Sequence, residues 1–155
     1  MAQHPLFEVR DATSADLDLT YLIARDAMHE YVVKAWGRWD ESEQRQRHEY
    51  DFDADMHKLV LVEHTVVGFV AKKRFSDHVW LAKLYLLSAF RGRGIGSALL
   101  AQVLREADEL GKPVRLRMLR VNTRAQALYT RHGFNVVKQT PERIFMEKPV
   151  RAADV

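Results

Sequence analysis

The spacing of hydrophobic and polar residues changes along the chain, and each change predicts a new secondary-structure element. Apolar residues recur at helical spacing from Leu19 to Tyr31 and again from Ile95 to Leu110. Runs of β-branched and apolar residues between short polar turns predict strands. The predicted elements, in chain order, are a strand at Leu6–Arg10, a helix from Thr13 to about Trp36, a polar helix at Glu41–Tyr50, strands at Lys58–Glu63, Val66–Lys72 and Val79–Leu87, a helix at Ile95–Leu110, a strand at Val114–Val121, a short helix at Thr123–Arg131, and strands at Phe134–Gln139 and Ile144–Lys148.

This order, β-α-α-β-β-β-α-β-α-β-β, predicts a single mixed α/β domain over residues 1–155. No internal repeat, low-complexity segment or linker divides the sequence. A chain of 155 residues with 47% hydrophobic residues is large enough to build one core without disulfides or a structural metal.

Composition excludes several classes of site. The sequence contains no Cys, which rules out disulfides, thiolate metal sites and a cysteine nucleophile. No apolar run approaches the ~20 residues of a membrane span. The first residues, Met1-Ala2-Gln3-His4-Pro5, lack the basic and apolar regions of a signal peptide. We therefore expect a cytoplasmic protein that binds neither a metal nor a membrane.

Charge is distributed unevenly between the two ends of the sequence. Residues 1–57 contain 6 Lys or Arg and 13 Asp or Glu, whereas the remaining residues contain 18 basic and 8 acidic residues. The first segment would attract cations and the second would attract anions. The basic residues are scattered and lack interleaved aromatic residues, so we expect no nucleic-acid binding. On composition alone, ordinary solvated surface charge explains the asymmetry equally well.

A glycine-rich turn, Arg91-Gly92-Arg93-Gly94-Ile95-Gly96, separates a predicted strand from a predicted helix. Glycines allow the backbone to approach a ligand closely, and the first N–H groups of a helix have no partner within it, so the turn is suited to an anion. It matches neither a dinucleotide fingerprint, whose third glycine would be Ser97 or Leu99, nor a P-loop. The turn therefore predicts a different phosphate-bearing ligand.

Two segments carry a family resemblance. Residues Leu84–Leu100, which include the turn, resemble the acetyl-coenzyme A binding segment of the GNAT family of N-acetyltransferases. Residues Asn122–Phe134 resemble the second signature of that family, Asn-x-x-Ala-x-x-Leu-Tyr-x-x-x-Gly-Phe. Both segments occur in the order and spacing of the family, within a matching order of elements. The resemblance implies the GNAT fold and acetyl-CoA as the cosubstrate.

The resemblance also implies where acetyl-CoA binds. Backbone N–H groups of the turn and the helix start would hold the pyrophosphate, and the strand before the turn would pair with pantetheine. The amide near Leu86 would donate to the thioester oxygen. Asn122 would hydrogen-bond the pantetheine arm. The full set of residues implied to bind the cosubstrate is Leu84, Tyr85, Leu86, Arg91, Gly92, Arg93, Gly94, Ile95, Gly96, Ser97, Asn122 and Tyr129.

Tyr129 matches the tyrosine to which the family assigns the role of general acid. A phenol near the sulfur can protonate the departing CoA thiolate. The alternative is a tyrosine that packs beside Ala125, Leu128 and Phe134 in a short helix. His132 is expected at the surface near the C-terminus of that helix, where a partial positive charge is favourable.

A general base is missing from its usual place. Many family members carry a Glu on the strand before the turn or on the strand before the Asn, but Val79–Phe90 contains no acid and Arg117 precedes Asn122 by five residues. A lysine-like amine has a pKa of ~10.4 and must lose a proton before attack. Three explanations stay open: a residue of the acidic N-terminal segment, proton loss through water, or an acceptor of low pKa. The candidate residues are His29, Glu30, Asp40 and Glu41, of which Glu30 is the one assigned.

The acceptor site of the family lies in the two N-terminal helices and their connection. This chain has Trp36-Gly37-Arg38-Trp39-Asp40-Glu41 in that connection. Indole faces and carboxylates can hold a cation, which suits an amine. The residues assigned to the acceptor are His29, Trp36, Trp39 and Asp40. In the alternative interpretation, the Trp residues anchor the helices and the acids cap the second helix.

The resemblance therefore implies an enzyme that transfers acetyl from acetyl-CoA to a primary amine on a small molecule or a peptide. A catalytically idle CoA-binding sensor or interaction module of the same fold is the alternative. The sequence identifies neither the acceptor nor the oligomeric state, although homodimers are frequent in the family.

Overall fold

The computed structural model describes residues 6–151. In this range the strands are β1 (Glu8–Asp11), β2 (His57–Val62), β3 (Thr65–Arg74), β4 (Val79–Leu86), β5 (Val114–Leu119), β6 (Asn135–Gln139) and β7 (Arg143–Lys148). The helices are α1 (Leu17–Trp36), α2 (Glu41–Asp51), α3 (Ile95–Glu109) and α4 (Thr123–Arg131). The strands form one mixed sheet in the order β1-β2-β3-β4-β5-β7-β6.

The predicted fold class and order of elements are confirmed, with local differences at the turns. Short 3₁₀ helices at Ser14–Asp16, Ala54–Met56 and Ser88–Phe90 were not predicted. The hairpin turn between β2 and β3 lies at Glu63 and His64, one residue earlier than the sequence indicates, and both residues have positive φ, 49° and 68°. A two-residue turn with positive φ matches the twist of the paired strands, which explains this position.

Within the described range, the chain forms two compact units. The N-terminal unit comprises the described residues up to Lys72 together with Lys83–Gly96. The C-terminal unit comprises Lys73–Ala82 and the described residues from Ser97 onward. Each unit is described separately below.

Local signals position the first two helices of the N-terminal unit. The backbone N–H of Thr13 donates to Asp16 Oδ2 at 2.8 Å and starts the 3₁₀ turn that leads into α1. Gly37 ends α1 with a φ of 84° and donates to the Val33 carbonyl. Asp40 begins α2, because its side chain accepts a hydrogen bond from the Glu43 N–H at 3.0 Å.

The core of the N-terminal unit lies between the helices and the strands β2 and β3. Ile23 of α1 packs with Leu59 and Phe69, all of which are at most 1% exposed. Tyr85 of β4 and Phe52, which follows α2, pack against this cluster. Burial of such large apolar side chains is the main stabilising contribution to the unit.

A polar network is buried beside this core. The Thr20 hydroxyl donates to the Asp16 carbonyl at 2.9 Å and accepts from His48 Nε2 at 2.8 Å. His48 Nδ1 is then the acceptor that faces Lys83 Nζ at 3.4 Å. These contacts assign His48 as a neutral imidazole with its proton on Nε2.

Burial controls protonation in this network. Burial, followed by the nearby charge of Lys83, lowers the pKa of His48 from 6.5 to about 4. Burial also lowers the pKa values of Lys83 and of the neighbouring His57. His57 Nδ1 donates to the Asp53 carbonyl, which holds the end of the chain segment that enters β2.

The C-terminal unit is organised around β5 and β7. These strands pair antiparallel, with Leu116 opposite Met146 and Met118 opposite Ile144, and all four side chains are buried. In the same unit, the first residues of β4 pair parallel with those of β5, Val79 with Val114 and Trp80 with Arg115. β6 is an exposed edge strand that pairs with β7.

Protonation of His48 should destabilise the protein at mildly acidic pH. The pKa of His48 is lower in the folded than in the unfolded state, so its full contribution to the free energy of unfolding is present above pH 6.5. This contribution is lost as the pH falls toward 4, by at most roughly 3 kcal/mol. Urea unfolding at about pH 7.5 and about pH 5 measures this loss. His48→Gln keeps a donor for Thr20 but does not titrate. The variant should therefore lose less stability than the wild type between the two pH values. Equal losses in the two proteins would contradict the assignment.

Candidate active site

The glycine-rich turn adopts the backbone conformation that the sequence predicts for it. Gly92 and Gly94 have φ values of 75° and 84°, in the left-handed region that side chains disfavour. The turn leads directly into α3, which begins at Ile95. The first N–H groups of this helix have no partner within it. The turn therefore combines unpaired donors with a backbone that an anion can approach closely.

The two arginines of the turn are held within the N-terminal unit. An Arg91 guanidinium nitrogen lies 3.5 Å from the Ala27 carbonyl of α1. The Arg93 guanidinium lies over the Phe90 ring, 4.8 Å from its centre. Both side chains keep a positive charge beside the turn, which favours an anionic ligand.

β3 holds the end of β4 in the same unit. The Leu87 N–H donates to the Val67 carbonyl at 2.8 Å. The pairing of β2 with β3 shifts next to this point, so Val67 is an extra residue in the ladder. A Cβ on Gly68 would lie 2.4 Å from the Tyr85 carbonyl oxygen. Glycine therefore allows β3 to approach the backbone of Tyr85 and Leu86 closely.

A cleft of about 580 Å³ opens in the N-terminal unit. It brings together three of the residues that the sequence assigns to the acceptor site or to the base, His29, Glu30 and Trp39. Of the other lining residues, only Glu41 is a functional candidate from the sequence, as a possible base. The complete lining is Leu22, Arg25, Asp26, His29, Glu30, Trp39 and Glu41.

Hydrogen bonds and ring contacts order one side of the cleft. Glu41 accepts from Arg25 and from the Trp39 indole N–H, both at 2.9 Å. The His29 ring lies against the Trp39 ring with centres 5.3 Å apart. Desolvation acts to raise the pKa of Glu41, but the neighbouring Tyr21 hydroxyl, the Trp39 indole and Arg25 together outweigh it and hold the pKa below its ordinary value. Glu41 is therefore an ionised anchor for Trp39 and a weak base.

The remaining candidates for the base and the acceptor site have different environments. The Glu30 side chain is 76% exposed and lies 3.8 Å from Lys34. Asp40 caps α2 and does not line the cleft. Trp36, at the end of α1, is 47% exposed and also lies outside the lining. Their assignment to the acceptor site stays a prediction.

Asp26 links the cleft to the segment before the glycine turn. Its Oδ2 accepts from the Ser88 N–H at 2.9 Å and from the Ser88 hydroxyl at 3.0 Å. Asp26 and Ser88 are 62 residues apart in the sequence. Asp26 precedes His29 and Glu30 by three and four residues and so shares their helix face, which is a local signal for its place in the cleft but not for its contact with Ser88.

The other predicted site residues belong to the C-terminal unit. The Asn122 side-chain oxygen caps α4 by accepting from the Ala125 N–H at 3.1 Å. Tyr129 is 9% exposed, and its ring meets the Phe134 ring edge-on with centres 5.4 Å apart. His132 Nδ1 donates to the Leu128 carbonyl near the end of α4. Ser97 lies in the first turn of α3. The roles of Asn122 and Tyr129 in binding or catalysis stay predictions.

Residues 6–151 contain neither a metal-binding cluster nor a membrane-spanning helix. No group of three or more His, Asp or Glu side chains in this range is arranged to hold a metal ion. No helix in the same range is both long and apolar enough to cross a membrane.

Solved structures with the same fold are numerous. The PaiA N-acetyltransferase from Thermoplasma acidophilum, solved in complex with coenzyme A, is 20% identical, with a TM-score of 0.76 over 92% of this chain and 98% of that chain. The ribosomal-protein-S18-alanine N-acetyltransferase from Escherichia coli is 19% identical, with a TM-score of 0.72 over 96% and 97%. A histone acetyltransferase HPA2 and related acetyltransferase from Corynebacterium glutamicum is 21% identical, with a TM-score of 0.73 over 97% and 99%.

Sequence comparison identifies the family. A search of curated proteins finds no match. The model of the acetyltransferase (GNAT) family matches residues 23–134, which is more than half of the chain and includes both signature segments. The protein therefore belongs to the GNAT acetyltransferase family.

Proposed function

We propose that this protein is an N-acetyltransferase that moves an acetyl group from acetyl-CoA to a primary amine by direct attack through a tetrahedral intermediate. Membership of the family supports acyl transfer from CoA in general. The observation that carries the proposal is the turn in which Gly92 and Gly94 have positive φ directly before the N-terminus of α3. The PaiA structure, which contains coenzyme A, supports a CoA-based cosubstrate.

In this proposal, the N-terminal unit supplies most of the contacts with acetyl-CoA. Backbone N–H groups from Gly92 to Gly96 bind the pyrophosphate, and Arg91 and Arg93 add positive charge. The backbone of Leu84–Leu86 pairs with pantetheine, and the amide near Leu86 donates to the thioester oxygen. The hydrogen bond from the Leu87 N–H to the Val67 carbonyl supports the assignment, because it holds the end of this strand against β3.

The family resemblance assigns three further residues, Ser97, Asn122 and Tyr129, to the cosubstrate. Ser97 adds an N–H group in the first turn of α3. Asn122 donates its side-chain amide to pantetheine, a role that its helix cap permits because the cap uses only the oxygen. Tyr129 acts as the general acid.

The reaction requires one proton to leave the amine and one to reach the sulfur. The amine lone pair attacks the thioester carbon, and the negative charge that develops on its oxygen is stabilised by the donor near Leu86. Collapse of the intermediate breaks the carbon–sulfur bond, and Tyr129 protonates the thiolate. Glu30, in the cleft, takes the proton from the amine, directly or through water.

The cleft is the proposed acceptor site. His29 and Trp39 present two aromatic rings, and Glu30 and Glu41 contribute negative charge, a combination that suits a cationic amine. Trp36 and Asp40 complete the proposed acceptor region at the connection of α1 and α2. The acceptor is a small molecule or a peptide.

Gly94→Val should abolish acetyl-CoA binding, because the side chain strains a position with a φ of 84° and, in this proposal, would stand where the pyrophosphate approaches the backbone. Isothermal titration calorimetry of both proteins with acetyl-CoA measures the effect. Gly111→Val is the matched control, since Gly111 also has positive φ but has no atom within 4 Å of its Cβ position. Wild-type protein that fails to bind acetyl-CoA, or Gly94→Val protein that binds normally, would refute the assignment of the turn.

Tyr129→Phe should keep the affinity for acetyl-CoA and slow transfer on the order of 10²-fold, the usual effect of removing a general acid. The ring contact with Phe134 is retained, so the fold should not change. Release of CoA with a panel of amines measures transfer. Tyr50→Phe is the control, because Tyr50 is 91% exposed on α2. Unchanged turnover in Tyr129→Phe would exclude Tyr129 from the reaction.

A second candidate function is a CoA-binding sensor or interaction module without catalytic activity. It is favoured by the lack of any acidic residue in Val79–Phe90. The same amine panel separates the two functions. Intact binding of acetyl-CoA with no release of CoA above the hydrolytic background would favour the sensor.

A further inference from the structure

The strand before the glycine turn carries no acid in its sequence, but a carboxylate reaches its end from another element. Asp26 of α1 binds Ser88, two residues after Leu86, through both the Ser88 N–H and the hydroxyl. Arg91, at the other end of this short segment, contacts the Ala27 carbonyl. Two consecutive residues of α1 thus hold both ends of Ser88–Arg91.

The two oxygens of Asp26 have different environments. Oδ2 accepts both hydrogen bonds from Ser88. Oδ1 accepts no hydrogen bond from any side chain or backbone group in residues 6–151, although Asp26 lines the cleft. The carboxylate of this lining residue therefore combines one oxygen that is bound to the Ser88 segment with one that has no hydrogen-bond partner among the described residues.

We propose that Asp26 receives the acceptor amine: Oδ1 accepts a hydrogen bond from the amine nitrogen, while Oδ2 fixes Ser88 and with it the backbone that follows Leu86. This inference rests on the proposed function. In this arrangement, Asp26 of α1 provides a carboxylate at the end of β4, which has no acidic residue in its own sequence. The acceptor class that follows is a primary amine that enters as an ammonium ion, since a fixed carboxylate oxygen favours a charged donor.

The other acids that line the cleft, Glu30 and Glu41, do not combine an oxygen bound to Ser88 with a second oxygen that is left without a partner in the described residues. Both oxygens of Glu41 are engaged, one by Arg25 and one by the Trp39 indole. Glu30 is largely exposed and forms its ion pair with Lys34, four residues later on the same helix. Asp26 therefore orients the amine, and Glu30 keeps the separate role of taking its proton.

Aspartate-to-asparagine substitution separates the two roles of Asp26. Asp26→Asn keeps the side-chain shape and an oxygen that can accept from Ser88, but it replaces the free carboxylate oxygen by a neutral amide donor. Asp26→Ala removes both. Asp18→Asn is the matched control, because Asp18 lies on the same helix, loses the same charge and makes only an exposed ion pair with Arg45.

The first measurement uses acetyl-CoA with four probe amines: spermidine, phenethylamine, L-lysine and a tripeptide that begins with alanine. For each amine that the wild type acetylates, Asp26→Asn should lower kcat/KM for the amine by on the order of 10- to 100-fold, the effect of losing a hydrogen bond to a charged group. The affinity for acetyl-CoA should change by less than about twofold, and Asp18→Asn should match the wild type.

The second measurement tests the link to Ser88 without an acceptor. Exchange of the Ser88 amide hydrogen, followed by NMR, should be faster in Asp26→Ala than in the wild type by on the order of 10-fold, and should change little in Asp26→Asn.

The outcomes distinguish this proposal from the proposed function. A wild type that binds no acetyl-CoA or acetylates none of the four amines contradicts the function, and the role of Asp26 falls with it. A wild type that acetylates an amine while Asp26→Asn behaves like Asp18→Asn contradicts the role of Asp26 alone. Equal amide exchange in Asp26→Ala and the wild type contradicts the link to Ser88.

Discussion

The proposed cosubstrate site depends on the backbone N–H groups at the start of α3, which have no partner inside the helix. An α-helix cannot satisfy its first N–H groups internally, so an anion or solvent must do so. Gly92 and Gly94 bring the chain into the helix through positive φ values without side chains that would block an approaching ligand. A diphosphate fits this site because it supplies several acceptor oxygens and two arginines flank the turn.

The N-terminal unit holds the segment before this turn from two sides. β3 contacts it at Tyr85, where Gly68 permits an approach that a Cβ would prevent. α1 contacts it through Asp26 at Ser88 and through Ala27 at Arg91. These contacts position the end of β4. In the proposed reaction, the backbone at this end must meet the thioester in a fixed geometry. Preorganised donors of this kind stabilise developing charge without reorganisation during the reaction.

The sequence predicts the features that depend on neighbouring residues. Glycine spacing and the start of a helix are local, so the turn and its likeness to the GNAT family could be identified from residues 84–134. The contact between Asp26 and Ser88 joins residues that are far apart in the sequence, and nothing local marks their partnership. Likewise, the sequence marks Glu41 only as one of several acids near the connection of α1 and α2, whereas the fold pairs its two oxygens with Arg25 and Trp39. The sequence left two roles open for Asp40, a contact with the acceptor or the cap of α2. In the structure, Asp40 caps α2.

The most direct test of the central claim is an NMR titration of ¹⁵N-labelled protein with acetyl-CoA. The account predicts that the largest amide shifts occur at Gly92–Ser97, and that S-acetylpantetheine, which lacks the diphosphate, leaves most of these amides unshifted. Saturable binding of acetyl-CoA with its largest amide shifts elsewhere, and none at the turn, would contradict it.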